Sequence, residues 1–279
     1  MPIHDQGYRR YGGDKIANGR AWLVIAGAGI RTFITRRVFL GLLLASWWQF
    51  FGRVVLIYTS VNLPQAQFLT LTPDTFRQFL EFQGFFVFLI SVYVGSGLIA
   101  NDRRANALQI YLSKPLTRSE YVLGKLAVLM TFLLLVTWVP ALLLLLVHVV
   151  FAGSVTFLID NAFLVPAITV VAFIQTSVAA TSILALSSLS NSSRYVGILY
   201  TSLIFFSQAL FGVLQFVTGG SNVAWVSVQA DLSQMSRAIF RQPLEYDTPW
   251  PIAFLVLALL IALSGFVLGK RVRAVEVVA

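Results

Sequence analysis

Residues 121–150, YVLGKLAVLMTFLLLVTWVPALLLLLVHVV, hold a single charged side chain, Lys125, in an otherwise apolar run. At about 1.5 Å per helical residue, roughly 20 apolar residues cross the ~30 Å hydrocarbon core of a bilayer. Five further runs of this kind lie on either side, at 38–60, 79–100, 162–189, 195–217 and 250–269. Their continuity is unlike the alternating ten-residue strands of a membrane barrel, so helices must satisfy the backbone internally. The chain is 58% hydrophobic and only 11% charged, against about 25% charged in soluble domains. The fold class read from this is all-α integral membrane: a six-helix transmembrane bundle over 38–270.

Charge orients the bundle. Of the 20 Lys and Arg residues, all but Arg77, Arg237, Arg241 and the intramembrane Arg53 fall on one side when the N-terminus is placed inside. Short basic flanks stay cytoplasmic, so both termini are expected in the cytoplasm of a bacterial-type inner membrane. Residues 1–20 lack an apolar core followed by a cleavage site and read as a retained, mobile cytoplasmic segment; 271–279 form a cytoplasmic tail. The net charge of +9 flanks apolar runs rather than aromatic stacking platforms, which argues against nucleic acid. The chain contains no cysteine, which excludes disulfides and thiol chemistry.

Between 21 and 37, Trp22, Ile25, Gly29, Ile30 and Phe33 recur at helical spacing between basic ends. This predicts a helix lying in the cytoplasmic interface with its apolar face down; the alternative is an extension of the first span. Thr72-Pro73 and Thr248-Pro249 read as N-caps followed by proline at the first helical position. Pro140 should bend the third span. The outer connection 218–248 is too long for a simple loop. Within it Val228, Leu232, Met235 and Ile239 share one helical face opposite Ser233, Ser236 and Arg237, giving either an outer re-entrant helical segment or a solvated cap.

The most informative connection is 95–126, GSGLIANDRRANALQIYLSKPLTRSEYVLGKL. Leu108, Tyr111 and Leu112 would line one face of a short helix and Asn106, Gln109 and Ser113 the other. Lys114-Pro115 should end it, because proline disfavours helix in the preceding residue. Thr117-x-x-Glu120 is a capping box for the next helix. The result is a compact elbow joined rigidly to the third span.

Asp102-Arg103-Arg104, the short helix, then Lys114-Pro115-Leu116-Thr117-Arg118 and Leu123-Gly124-Lys125-Leu126 resemble the type-2 ABC-transporter permease family. The motif covers about 25 residues and the architecture most of the chain. The resemblance implies that the elbow is a cytoplasmic coupling helix docking on a separate ABC ATPase subunit, through Asp102, Arg103, Arg104, Leu108, Tyr111, Leu112, Lys114, Pro115, Thr117, Arg118 and Glu120. It also implies two ATPase copies, a second permease copy or a similar permease, and ATP and Mg bound by the partner rather than by this chain.

Enzymatic chemistry is not expected here. A phosphate-binding loop needs G-x-x-x-x-G-K-[ST], whereas Gly124-Lys125 is followed by Leu126 and Ser119 stands where the first glycine belongs. Ser96 and His148 sit toward opposite ends of their spans, too far apart to form a nucleophile–base pair. His4 and His148 offer no metal-ligand spacing. Arg53 needs a partner or water; Glu81 is the candidate acid, the alternative being that Glu81 pairs with Arg77. Ala172, Thr176 and Ala180 in span four and Ser91 with Gly95 in span two form small-residue stripes suited to close helix packing. Two other classes stay open: an ion-coupled secondary carrier using Arg53 and Pro140, and a non-transporting membrane anchor for a cytosolic machine.

Overall fold

The computed structural model describes residues 21–62, 72–107, 117–152 and 156–272. Among these residues every regular element is helical. Six helical stretches are long and apolar enough to cross a membrane: Arg37–Asn62, Pro73–Arg104, Arg118–Phe151, Leu164–Leu189, Ser193–Thr218 and Trp250–Arg271. They coincide with the six apolar runs. We call the end holding Arg103, Arg118 and Lys270 the inner end, following the charge distribution.

A helix α1 (Ala21–Ile34) precedes the first span. The first span is two helices, α2 (Arg37–Ser46) and α3 (Trp48–Asn62), separated at Trp47, where a single run had been expected. The Ser46 carbonyl at the break accepts a hydrogen bond from Gln83 Nε2 of the second span at 3.0 Å, so a neighbouring helix satisfies it.

Span two comprises α4 (Pro73–Ile90), a π-helical turn Ser91–Gly95 and α5 (Ser96–Arg104). Thr72 caps α4 as expected, with its own amide donating to Thr75 Oγ1 at 3.2 Å and Pro73 at the first position. Span three is α6 (Arg118–Val136) and α7 (Trp138–Ala152), interrupted at Thr137. Pro140 is the cause: it has no amide for the Val136 carbonyl and its ring crowds that oxygen.

A short α8 (Thr156–Asp160) leads to α9 (Leu164–Leu189) and α10 (Ser193–Thr218), the latter ending at Gly219 in a left-handed conformation, φ 67°. Then come α11 (Val228–Ile239) and α12 (Trp250–Arg271). The cap of α12 is one residue later than its sequence signature: Pro249, not Thr248, is the N-cap. Thr248 is instead buried, donating to the Ser221 carbonyl at 3.1 Å and accepting from Gln234 Nε2 at 2.6 Å.

Helix α9 is the axis of the bundle, packing against α4, α5, α6, α10 and α12. Its stripe of Ala172, Thr176 and Ala180 is fully buried, so the small residues serve close packing within the subunit. Gly95 works the same way from span two, since a Cβ there would come within 2.6 Å of Ile183 Cγ2. The outward faces of α3, α10 and α12 are apolar, with Trp48, Phe206, Phe216 and Phe266 exposed; a bilayer is the solvent that such faces fit.

Helix α1 packs against α6. Gly124 and Gly29 lack side chains where α1 meets α6: a Cβ on Gly124 would lie 2.8 Å from Ile25, and one on Gly29 would lie 2.5 Å from Val128. Phe33 meets Phe132 at 6.2 Å between ring centroids. The pairs 25/124, 29/128 and 33/132 advance by four on both helices, so α1 runs alongside the inner half of span three in the same direction. Ile25, Gly29 and Phe33 of its apolar stripe meet span three, and the turn at Thr35-Arg36 keeps it separate from the first span.

Candidate functional site

The structure describes both arms of the elbow. Leu108, Tyr111, Leu112, Lys114 and Pro115, and with them the short helix expected between them, lie outside the described residues. The near arm, α5, stops at Ala105, and Asn106 takes a left-handed conformation, φ 52°, with its amide donating to the Arg103 carbonyl at 3.1 Å. Asparagine tolerates that backbone better than most residues. Asn106 therefore terminates the span rather than lining the short helix to which its spacing had assigned it.

The far arm opens with the expected capping box. The Glu120 amide donates to Thr117 Oγ1 at 3.2 Å, and the Thr117 amide donates to Glu120 Oε2 at 2.9 Å. Two otherwise orphaned donors are satisfied reciprocally, which fixes where span three begins.

Asp102 joins the arms. Its Oδ2 accepts from Tyr121 Oη at 2.7 Å and lies 2.7 Å from Lys125 Nζ. Lys125 also sits over the Tyr121 ring, 5.5 Å from its centroid, and Tyr121 is wholly buried. Charge-assisted hydrogen bonds to a shielded carboxylate are the stronger kind. Arg103 donates through Nη1 to the Ser188 carbonyl at the inner end of α9. Ser187 Oγ accepts from the amides of Ile99 (3.2 Å) and Ala100 (2.9 Å) and donates to the Ser96 carbonyl at 2.8 Å. A side chain of span four is thus inserted into the hydrogen-bond ladder of span two, one turn after the π-helical turn.

Asp102 and Arg103, expected as docking residues, make these contacts within the bundle. Arg104 is exposed, as is Arg118. The serine pair 187–188 was missed by sequence reading. Two serines near a helix end carry no signal until the tertiary fold sets them against a neighbouring ladder.

At the outer end, Arg77 is buried and shared by two carboxylates, Asp74 at 2.5 Å and Glu81 at 2.7 Å. Glu81 therefore pairs with Arg77 one turn away, the spacing at which helical side chains meet, and the pairing with Arg53 is not made. Arg53 is half-buried and without an ion pair among the described residues; the carboxylate whose field reaches it is Asp74. Glu81 Oε1 also accepts from Ser233 of α11 at 3.1 Å, while Ser233 lies 3.2 Å from Glu245 Oε2. One hydroxyl proton serves only one of the two carboxylates at a time. Arg237 closes the chain on Glu245 at 2.9 Å.

Helix α11 is covered on both faces. Val228 and Met235 pack with Val178, Ala253 and Leu257, with Leu232 and Ile239 at the edge. Ser233 and Ser236, expected opposite them, are buried as well, so a solvated cap does not describe this helix. Gln234 ties it to the next segment through the carbonyls of Tyr246 (2.9 Å) and Thr248 (2.6 Å). Asp231 is buried with Oδ2 lacking a hydrogen bond, and burial pushes its carboxyl up to about 7. Exposed Asp247 is held below the usual carboxylate range by the hydroxyl and amide of Ser221. Between α4, α9, α10 and α11 lies a cavity of about 570 Å³.

No group of three or more potential metal ligands occurs among the described residues. No protein-family model matches the chain, and no curated protein is significantly similar to it.

Proposed function

We propose that this chain is the transmembrane permease subunit of an ATP-binding-cassette exporter. It pairs with a second copy or a similar permease, and two copies of a separate ATPase subunit bind ATP and Mg and carry out hydrolysis. The protein lies in a bacterial-type inner membrane with both termini in the cytoplasm, and α11 dips into the outer leaflet. The docking surface is the elbow 104–118.

The observation that supports this most is the polar clamp at the elbow's root. A force taken on a loop reaches the membrane only if both arms are stiff and tied to more than one helix. Here the Thr117–Glu120 box fixes the far arm, Asp102 binds near arm to far arm, and Arg103 and Ser187 tie the near arm to span four. Closure of the ATPase on nucleotide then displaces spans two, three and four together. The energy comes from the difference in the ATPase's affinity for the two arrangements, since a ligand shifts states only by that difference.

The test is Leu108→Asp with Leu112→Asp. Co-purification of an ATPase carrying a phosphate-binding loop should be abolished while membrane insertion and the clamp remain. A complex that survives this double substitution rejects the assignment.

A further inference from the structure

The cavity at the outer end has a polarity that the coupling elbow does not explain. Its walls are mostly aliphatic and aromatic, with Phe85, Phe88, Tyr200 and Phe205 among them. Phe88 stacks on Tyr200 at 5.9 Å and meets Phe205 edge-on at 5.6 Å. Pockets of roughly 300–1,000 Å³ with a few convergent polar groups suit a single small organic molecule.

Among the polar side chains on the wall, Gln175, Tyr200, Gln229, Ser233 and Ser236 can donate or accept, and only the Glu81 carboxylate is purely an acceptor. Glu81 is the one charged residue among those lining the cavity. Arg77, its partner, is buried behind it and shared with Asp74, so one guanidinium faces two carboxylates. Arg53 makes no ion pair among the described residues and is not among those lining the cavity. A carboxylate offers about four lone-pair sites. Glu81 uses one on Arg77 and one on Ser233, leaving capacity for a ligand.

Ser236 is buried on the cavity wall and its Oγ makes no hydrogen bond. An unpaired buried hydroxyl is costly; a ligand group brought to this wall would relieve that cost. Gly84 completes the shape: a Cβ there would come within 2.9 Å of Gln175 Nε2, so only glycine leaves both the space and that amide in place. Gln175 is held by donating to the Leu80 carbonyl at 3.3 Å.

We infer that this cavity binds an amphiphile with a protonated amine head, its apolar body against Phe85, Phe88 and Phe205 and its ammonium on Glu81. A donor-bearing cation matches a carboxylate that shares its one guanidinium with Asp74, and aromatic faces attract cations further. An anionic head would meet like charge. As a station for cargo the site rests on the exporter reading above; binding itself requires neither ATPase nor transport.

The test uses three amphiphiles of equal chain length, dodecylammonium, dodecanol and dodecanoate, with the purified full chain and native mass spectrometry. A one-to-one adduct should form with dodecylammonium at micromolar concentration and at least tenfold more weakly with dodecanoate. Glu81→Gln should weaken the ammonium adduct about tenfold, and Gly84→Leu should abolish it for all three compounds. Ser236→Val breaks no ion pair, so it reports on the cavity even where Glu81→Gln lowers stability, and it should weaken the adduct severalfold. Equal binding of dodecanoate, or an ammonium adduct indifferent to both Ser236→Val and Gly84→Leu, overturns the proposal. Neither result touches the elbow, whose docking is measured separately.

Discussion

Two acids each join a pair of helices in this bundle, and their surroundings are opposite. At the inner end Asp102 links α5 to α6 through a wholly buried tyrosine and a shielded lysine. At the outer end Glu81 links α4 to α11 through one serine hydroxyl that a second carboxylate also approaches, at the edge of a cavity of about 570 Å³. The inner joint is redundant and closed; the outer joint is single and open. The exporter proposed above would need that asymmetry, because the end that transmits force must not yield and the end that discharges cargo must.

Asp102→Ala should give the largest effect. It removes the carboxylate that pairs with shielded Lys125, and breaking a shielded pair from one side costs about 3–5 kcal/mol. Thermal unfolding in detergent checks this; a loss below about 1 kcal/mol would mean that the inner joint is no stiffer than the outer. Adding Tyr121→Phe to it should produce strong non-additivity, the signature of one coupled unit.

Asp231 sharpens the outer half of the contrast. Its carboxyl titrates near 7 in the folded protein against about 4 unfolded. The folded pKa is the higher, so the folded state binds the extra proton and no penalty exists at low pH. Stability is then lost as pH climbs from about 4 through 7. Asp231→Asn should therefore raise the melting temperature at pH 8.5, through a stability gain of at most about 4 kcal/mol, and change little near pH 4. A wild-type melting temperature that rises across this window would contradict the assignment.

Gly124→Val tests whether α1 belongs to the rigid inner end. The new side chain meets Ile25 at 2.8 Å and the Trp22 carbonyl at 3.1 Å, and overpacking of this kind costs about 1–3 kcal/mol. Protease sensitivity within 21–34 should appear with it. Ser233→Ala should be mildest, about 1 kcal/mol for one polar contact, with faster hydrogen exchange confined to α11.

Much of this was legible in the sequence because the bilayer is a simple solvent. Apolar length located all six spans, and the Thr72 cap and the Thr117–Glu120 box appear where side-chain spacing put them, since capping is local chemistry. What was not legible depends on which helix stands next to which. The stripe on α1 reads equally well as a lipid-facing or a protein-facing surface until Gly29 and Gly124 are seen to let two helices touch. The break at Trp47 carries no proline or glycine of its own; Gln83 stabilises it from another span. Glu81 chose Arg77 because i,i+4 contact needs no tertiary placement, whereas reaching Arg53 would have required it. The contacts that Asp102 and Arg103 make within the bundle were not legible for the same reason, their partners being nineteen and eighty-five residues away.

The account is tested most directly by cross-linking in intact membranes. A photoreactive amino acid at Leu108 or Leu112 should give an adduct whose partner, identified by mass spectrometry, is an ATPase with a G-x-x-x-x-G-K-[ST] loop, and the same probe at Phe216 should give none. Recovery of that ATPase only from positions outside the elbow, or of no ATPase at all, would contradict it.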